Sequence, residues 1–218
     1  TQHIPYIFSS ATLSNNGNFT YFKKSLGMKE ALQFSVASPY DYEEKMRIIF
    51  HISDEASRVR KVQEYLEKTK GRTLLLFPTT EQLKHFKQSF KKSEYEFEIL
   101  FEGDQEISSL VSYFQNHESS VLCAEHLWEG LDVPGSSLSQ VIIWDLPFPP
   151  HDPVFDSFRR AADDAFLEVD LPYMLLRIRQ GIGRLIRTAD DQGDVVIFFD
   201  KDSYTNLSLI HISETTRP

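Results

Sequence analysis

Seven short apolar runs, each four to seven residues long, constrain the fold of this 218-residue chain more than any other feature. They are continuous rather than alternating and rich in β-branched or aromatic residues, as in strands that are buried on both faces of a sheet. The runs are YIFS (6–9), RIIFHI (47–52), TLLLF (73–77), FEILF (97–101), SVLCA (120–124), QVIIW (140–144) and DVVIFFD (194–200). The sequence therefore predicts a sheet whose strands lie inside the protein.

Helical patterns separate most of these runs. Apolar residues recur at intervals of three or four over 55–69, 80–91, 107–115 and 171–186, as on one face of an α-helix. Strand and helix in alternation give a parallel sheet with helices on both sides, because each parallel connection must cross over the sheet. We therefore expect one α/β domain over residues 41–206.

Residues 1–40 do not continue this alternation. They hold the run YIFS, followed by SSATLS, a short helical pattern at 19–26 and the bridging stretch ASPYDYEE. A lone parallel strand is not stable. We therefore predict that 6–9 is the last strand of a preceding domain, that 1–40 are the end of that domain and a connector, and that the chain is truncated at its start.

The last twelve residues, LSLIHISETTRP (207–218), show no helical or strand period that connects them to the preceding fold. They resemble the translated read-through of a sequencing adapter. We treat 207–218 as an artefactual tail and exclude it from the fold.

Composition limits the compartment and the kinds of site. The chain is 41% hydrophobic, yet no apolar run approaches the roughly 20 residues needed to span a bilayer, and TQHIPYIFSS does not resemble a signal peptide. The single cysteine, Cys123, excludes an internal disulfide and any four-cysteine zinc or iron–sulfur site built from this chain alone. We expect a cytoplasmic protein with no membrane partner.

The net charge of −9 argues against a general affinity for nucleic acid, which a basic surface normally provides. Any such binding must therefore be local. Six arginines do gather within one stretch of about thirty residues and keep a local anion site open: Arg159, Arg160, Arg177, Arg179, Arg184 and Arg187.

The octapeptide QGIGRLIR (180–187) combines helical periodicity with two glycines, each of which weakens a helix interior by about 1 kcal/mol. Leu175, Ile178 and Ile182 belong to an apolar stripe, and an opposite stripe carries Arg184 and Arg187. We expect the three apolar side chains to be buried and the two arginines to project outward from one face. A solvated basic face without function is the alternative interpretation.

Open parallel sheets bind ligands at the carboxyl ends of their strands, so the residues after each strand come first as site candidates. SSATL follows the first run, EHLWEGLDVPG follows 120–124, and QGIGRLIR precedes the last run. Taken singly, the first could be a helix cap and the second an acidic turn. We expect all three segments to converge on one edge of the sheet.

In this order and spacing, the three segments resemble the third, fifth and sixth motifs of superfamily 2 helicases, specifically of the DinG and XPD group. LLLFPTTEQL (74–83) resembles the fourth motif, and the similarity extends nearly to Asp200. The resemblance implies a RecA-like parallel sheet flanked by helices, of the P-loop NTPase type found in helicase C-terminal domains, without the half that carries the P-loop.

The same resemblance implies a set of site residues. Two arginines would act as fingers on the γ-phosphate of ATP, a glutamine would lie near the attacking water, and other residues would sense nucleotide, couple hydrolysis to strand movement or contact nucleic acid. Arg184 and Arg187 would be the fingers, and Gln180 would lie near the water. Glu129, Gly130, Asp132 and Gly183 would sense nucleotide. Ser10, Ala11 and Thr12 would couple hydrolysis to strand movement, and Thr79 and Thr80 would contact nucleic acid.

Some parts of the helicase pattern are missing. No G-x-x-x-x-G-K-[ST] loop and no Asp-Glu-x-His motif occurs in the sequence, so the phosphate cradle and the magnesium ligands are not here. ATP and Mg²⁺ would be bound mainly by a missing N-terminal half, and the chain alone should not hydrolyse ATP. An iron–sulfur cluster, where relatives have one, would also lie outside this chain. DKDSY departs from the arginine that often follows the last strand.

Three functions remain open on the sequence alone. The first is the motor half of a DNA helicase in repair or replication, with single-stranded DNA, ATP and the missing N-terminal helicase domain as partners. The second is a non-catalytic RecA-like module that binds nucleic acid or protein, and the third is the helicase-like body of an exonuclease. The register of Gln180, Arg184 and Arg187 favours the first.

Overall fold

The computed structural model describes residues 6–10, 13–14, 17–36, 42–90, 95–129, 138–186 and 191–203. The chain divides into two compact units by its internal contacts. The smaller unit combines Thr1–Ser38 with Phe148–Arg179, and the larger one combines Pro39–Pro147 with Gln180–Pro218. These units reflect packing within the chain, and the predicted domain boundary after residue 40 stays a prediction.

The larger unit is built on a six-stranded sheet in the order β1-β6-β5-β2-β4-β3, in which all neighbouring strands are parallel. Six of the seven apolar runs form its strands, so the predicted parallel α/β sheet is confirmed. The strands are β1 Met46–Ile52, β2 Thr73–Leu76, β3 Glu98–Phe101, β4 Ser120–Ala124, β5 Gln140–Ile143 and β6 Gly193–Phe199.

Two strand predictions were wrong. Residues 6–9 form no strand, and Ile7 is 94% exposed, because no described segment of the smaller unit pairs with them. Strand β1 forms as predicted but is not buried on both faces. Ile48, Phe50 and Ile52 are exposed because β1 is an edge strand whose only partner in the sheet is β6.

Seven α-helices and one π-helix occur in the described ranges up to residue 199, and the residues before several of them are suited to begin a helix. Asp54 and Thr79 accept hydrogen bonds from the amides of Ser57 and Gln82, at 2.8 and 3.3 Å. None of these helices is long and apolar enough to cross a membrane. The helices are α1 Thr20–Ser25, α2 Tyr42–Lys45, α3 Glu55–Thr69, α4 Thr80–Ser89, α5 Ile107–Asn116, α6 Pro153–Ala161, the π-helix Phe166–Asp170 and α7 Leu171–Ile182.

Alternation along β2 shows how the two faces of the sheet are covered. Leu75 and Phe77 belong to a core cluster with side chains of α3 and α4, in which the tilted rings of Phe77, Phe86 and Trp144 pack with centroids 5.1–5.4 Å apart. Leu76 points to the opposite face. There it lies where the end of α7 approaches the sheet, as the neighbours of Gly181 show. Helices therefore cover both faces, as predicted.

Helix α7 ends earlier than the periodicity predicts. It stops at Ile182, and the next residues form a turn in which the amides of Arg184 and Leu185 donate to the carbonyls of Gly181 and Ile182, at 3.1 and 3.0 Å. Bonds that span three residues close the last turn of a helix tightly. The two glycines supply the backbone freedom that stops the helix here. The prediction of a helix through Ile186 is therefore wrong.

The apolar stripe of α7 is also less buried than predicted. Leu175, Ile178 and Ile182 are only half-buried, whereas Leu185, beyond the helix end, is buried. Leu175 and Ile178 belong to the smaller unit, whose described helices are short and few. Arg187 lies outside the described residues.

In the smaller unit, Arg159 of α6 is hydrogen-bonded to several neighbouring groups and is not a free cation. Its guanidinium donates to Asp170 at 2.8 Å, to Asp156 at 2.9 Å and to the Pro149 carbonyl at 3.0 Å. It thereby ties the proline-rich loop to α6 and to the π-helix. Two aspartates neutralise Arg159, so it does not contribute to the local anion site that the arginine-rich sequence suggested.

We predict that Gly193→Ala destabilises the larger unit more than Gly181→Ala. A Cβ on Gly193 would overlap the Ser139 carbonyl oxygen and lie 2.8 Å from Leu185 Cδ1, whereas a Cβ on Gly181 would meet only side chains, the nearest being Leu76 Cδ1 at 3.0 Å. Overpacking costs about 1–3 kcal/mol, and at Gly181 the helix propensity of alanine offsets about 1 kcal/mol. Urea unfolding of both variants measures the difference. Equal losses would contradict this packing.

Candidate functional site

Polar side chains gather after several strands at the carboxyl edge of the larger unit's sheet, the edge at which open parallel sheets bind ligands. The groups follow the ends of β2, β3, β4 and β5 or come from the last turn of α7 and the turn after it. They are Thr79 and Thr80, Glu102, Glu125, His126 and Glu129, Asp145, and Gln180 and Arg184. These side chains and their partners form three clusters, each held together by its own hydrogen bonds or ion pair.

The first cluster joins the start of α4 to the turn after β4. The hydroxyl of Thr80 donates a hydrogen bond to the carboxylate of Glu125. Thr79 is the N-cap of α4, and both threonine side chains are exposed. The first backbone amides of a helix have no partner within the helix and carry partial positive charge, so this end of α4 favours an anion.

Glu102, which follows β3, fixes the same turn from the other side. One carboxylate oxygen accepts the backbone amides of Glu125 and His126 at 2.6 and 3.0 Å. The other lies 2.9 Å from Nδ1 of His126. A single carboxylate therefore holds both the backbone of the turn and its imidazole.

The second cluster is a buried ion pair that sequence reasoning missed. Arg58 of α3 is only 4% exposed and donates to the Trp144 carbonyl at 2.9 Å, with its guanidinium 3.2 Å from Asp145. Gln82 of α4 donates to the same carboxylate at 3.1 Å. Burial raises the pKa of Asp145, and the charge of Arg58 opposes that rise. The sequence signal was the position of Arg58 four residues before Val62, within the buried stripe of α3.

The third cluster joins Gln180, the first residue of QGIGRLIR, to Glu129, which begins the acidic part of WEGLDVPG; the rest of WEGLDVPG lies outside the described residues. The amide nitrogen of Gln180 donates to the Glu129 carboxylate at 3.1 Å. The amide oxygen of Gln180 is buried and accepts no hydrogen bond from any described residue. Gly181 explains this approach, because its missing side chain lets the helix lie against Leu76 and Trp128.

Arg184 does not project from a helix face, and that prediction is corrected. It lies in the turn after α7, is half-buried, and its Nε donates to the Gln180 carbonyl at 3.2 Å. The cause is the early end of the helix, which takes Arg184 out of the helical register. Gly183 occupies the same turn.

Several predicted site residues are not brought into this arrangement by the described structure. Ala11, Thr12, Gly130, Asp132 and Arg187 lie outside the described residues. Ser10 is described and exposed, but it belongs to the smaller unit. The convergence of SSATL with the other two segments therefore stays a prediction.

We predict that Arg58→Met lowers the free energy of unfolding by about 3–5 kcal/mol near pH 7, because it leaves Asp145 charged and buried without its counter-ion. Burial raises the pKa of Asp145 and the charge of Arg58 opposes that rise, so removing Arg58 raises this pKa further in the folded state. The variant therefore loses more stability than the wild type as pH rises through that pKa. The loss should therefore be smaller near pH 5 than near pH 7.

Urea unfolding at both pH values measures this effect. Lys61→Met is the matched control, since Lys61 pairs with Glu64 on the exposed side of the same helix and should change stability little at either pH. A loss for Arg58→Met that is small, or that does not depend on pH, would show that the pair is not a buried charge couple.

The sequence matches the family described as the helicase C-terminal domain over residues 62–208. It is 54% identical over 202 residues to the probable ATP-dependent helicase YpvA of Bacillus subtilis (strain 168), an alignment that covers 91% of this chain and 32% of that protein. It is 32% identical over 206 residues to the ATP-dependent DNA helicase YoaA of Escherichia coli (strain K12), which covers 88% of this chain and 32% of that protein.

The solved structures that it resembles include an apo XPD, with a TM-score of 0.62 at 17% identity over 86% of this chain and 43% of that chain. This likeness concerns the fold, which is the RecA-like parallel sheet expected from the sequence. The chain spans 32% of the length of each of the two curated relatives. The family match covers most of the chain and agrees with the parallel sheet, so the chain belongs to the helicase C-terminal domain family.

Proposed function

We propose that this chain is the C-terminal motor domain of an ATP-dependent DNA helicase, acting within a longer cytoplasmic protein. Family membership and the names of YpvA and YoaA support the class of activity. The observation that carries the proposal is the hydrogen bond between Gln180 and Glu129 at the carboxyl edge of the sheet. These residues belong to two helicase motifs, and a module that only binds nucleic acid or protein has no evident need for either motif.

ATP would bind between this domain and a second RecA-like domain that supplies the phosphate cradle and most of the Mg²⁺ ligands. The sequence supports this division, because it contains no G-x-x-x-x-G-K-[ST] loop and no Asp-Glu-x-His motif. The only cysteine, Cys123, is buried, so this chain offers no ligand set for an iron–sulfur cluster. We assign the Mg²⁺ ion, and an iron–sulfur cluster where the full-length protein has one, to parts of the protein outside this chain.

Gln180 is suited to orient the water that attacks the γ-phosphate. Its amide nitrogen is held by Glu129, and this contact directs the amide oxygen away from that carboxylate. The oxygen has no partner among the described residues, so it is available to accept a hydrogen bond once the site opens to substrate. Gly130, Asp132 and Gly183 would complete the nucleotide-sensing loop around this pair.

Arg184 and Arg187 would contact the γ-phosphate and stabilise the negative charge that develops as it is transferred. A fixed guanidinium at this place is worth about 10³–10⁵ in rate. Arg184 is held by the Gln180 carbonyl, so the finger and the water-orienting residue share one short segment. Ser10, Ala11 and Thr12 would couple hydrolysis to strand movement.

Thr79 and Thr80 would bind a phosphate of single-stranded DNA at the start of α4. The exposed threonines and the first amides of the helix offer hydrogen-bond donors to an anion. The Thr80 hydroxyl already donates to Glu125, so a phosphate there must displace that carboxylate or bind the amides instead. Such a local contact is compatible with a chain whose net charge is −9.

We predict that Arg187→Ala in the full-length protein reduces DNA-stimulated ATP hydrolysis by at least about 10³-fold while ATP and single-stranded DNA binding are largely retained. The finger acts on charge that develops only in the transition state, so turnover falls more than affinity. Arg184→Ala should act in the same direction, and Arg187→Lys should rescue poorly because an ammonium lacks the planar fork.

Steady-state ATPase assays with nucleotide and DNA titrations test this. Arg60→Ala is the control, since Arg60 is exposed on α3 and belongs to none of the three clusters. Turnover of Arg187→Ala within about threefold of wild type would reject the finger role. A wild-type protein that binds DNA without hydrolysing ATP would instead favour the non-catalytic module.

A further inference from the structure

Gln82, the third residue of α4, connects the start of that helix to a neighbouring strand. Its backbone amide donates to the hydroxyl of Thr79, and that hydroxyl donates to the side-chain oxygen of Gln82, both at 3.3 Å. A glutamine at this position of a helix commonly reaches back to the residue that caps it. Because Thr79 holds the side-chain oxygen, the side-chain nitrogen of Gln82 is left to bond outside the helix.

The partner of that nitrogen is the carboxylate of Asp145, two residues beyond the end of β5. Gln82 Nε2 donates to Asp145 Oδ2 at 3.1 Å, and the amide of Leu146 donates to Oδ1 at 2.9 Å. Nη1 of Arg58 lies 3.2 Å from Oδ2. Both oxygens are engaged, so Asp145 offers Gln82 an acceptor in a fixed place.

Arg58 fixes this carboxylate to the ends of two strands. Its side chain is buried, and its guanidinium donates to the carbonyls of Trp144 and Ser53 at 2.9 and 3.1 Å. Trp144 directly follows β5, and Ser53 directly follows β1. Hydrogen bonds from a charged donor are stronger than neutral ones. A continuous series of polar contacts therefore runs from these strand ends, through Asp145 and Gln82, to the residue that caps α4.

The order of the sheet explains why two neighbouring strands can hold this helix. Strand β2 lies between β5 and β4, and α4 follows β2 along the chain. On one side Gln82 joins the helix start to Asp145 after β5, and on the other side the hydroxyl of Thr80 joins it to Glu125 after β4. Contacts on both sides fix the direction in which the first amides of α4 point.

We propose that Gln82 is a positioning residue for DNA: by linking Thr79 to Asp145, it keeps the start of α4 in the orientation that receives a phosphate of single-stranded DNA. This inference rests on the proposed function, which places a phosphate at Thr79 and Thr80. Gln82 acts through Thr79 and does not touch the phosphate.

A neutral amide at position 82 suits this role. The Thr79 hydroxyl has one proton, and in the free protein it donates that proton's hydrogen bond to Gln82. When a phosphate accepts the hydroxyl instead, only a neutral hydrogen bond is lost. A glutamate at position 82 would bind the hydroxyl more strongly and would repel both the phosphate and Asp145.

Fluorescence anisotropy with a labelled oligothymidine tests the inference on the full-length protein. Gln82→Met removes both side-chain contacts without changing the charge, and we expect the dissociation constant to rise about fivefold, the effect of one lost hydrogen bond. Gln82→Glu should weaken binding further, because it adds a negative charge beside the phosphate. Gln88→Met is the matched control, since Gln88 is exposed in the last turn of the same helix and should keep the wild-type affinity.

Steady-state kinetics separate positioning from a general loss of structure. In DNA-stimulated ATP hydrolysis, Gln82→Met should raise the KM for DNA by the same factor as the dissociation constant, with kcat and the KM for ATP within about twofold of wild type. A variant that loses kcat as much as DNA affinity would show that Gln82 supports the fold in general, and would overturn the inference.

A double-mutant cycle with Thr79→Val tests the route through the threonine. If Gln82 acts through Thr79, then Gln82→Met should change the affinity of the Thr79→Val protein by less than about twofold. Equal losses in both backgrounds would overturn the inference.

The outcomes also separate this inference from the proposed function. If Thr79→Val weakens DNA binding and Gln82→Met does not, the positioning role is wrong and the helicase proposal is unaffected. If neither variant changes the affinity, the phosphate contact at α4 is wrong as well. If the wild-type protein binds no single-stranded DNA, the proposed function and this inference are both overturned.

Discussion

The close approach of α7 to the sheet is the constraint on which the candidate site depends. A Cβ at Gly181 would meet Leu76 at 3.0 Å and Trp128 at 3.3 Å, and both side chains are fully buried and well packed. A Cβ at this position would require one of these side chains to shift by a few tenths of an ångström, so glycine lets the end of the helix come this close without displacing them. The next residue back, Gln180, is thereby brought to Glu129. A requirement of packing thus creates the polar contact that joins two sequence motifs.

The acidic character of the chain is compatible with an anionic ligand because the carboxylates at the sheet edge are already engaged. Glu102 accepts two amides and faces an imidazole, Glu125 accepts a hydroxyl, Glu129 accepts an amide nitrogen, and Asp145 pairs with Arg58. Each carboxylate fixes a donor instead of facing a ligand. Under the proposed function, an anion would be bound by helix amides and arginines, which are local groups that the net charge does not describe.

Sequence patterns predicted the elements better than their ends and contacts. Six strands follow from continuous apolar runs, but residues 6–9 had the same pattern and form no strand, because pairing depends on a neighbour that local sequence does not specify. The pattern also could not show that α7 stops before Arg184, where three-residue hydrogen bonds replace helical ones. The burial of Arg58 was missed because a charged residue is expected to be exposed. Only the folded structure shows that Asp145 pairs with it.

A structure of the full-length protein with ADP and a fluoride mimic of the γ-phosphate would test the central claim most directly. The account predicts the guanidinium of Arg184 or Arg187 about 3 Å from the mimic, with the amide oxygen of Gln180 hydrogen-bonded to the water in line with it. A mimic that is bound with both arginines turned away, and with Gln180 still closed against the sheet edge, would contradict the assignment of this edge as half of an ATP site.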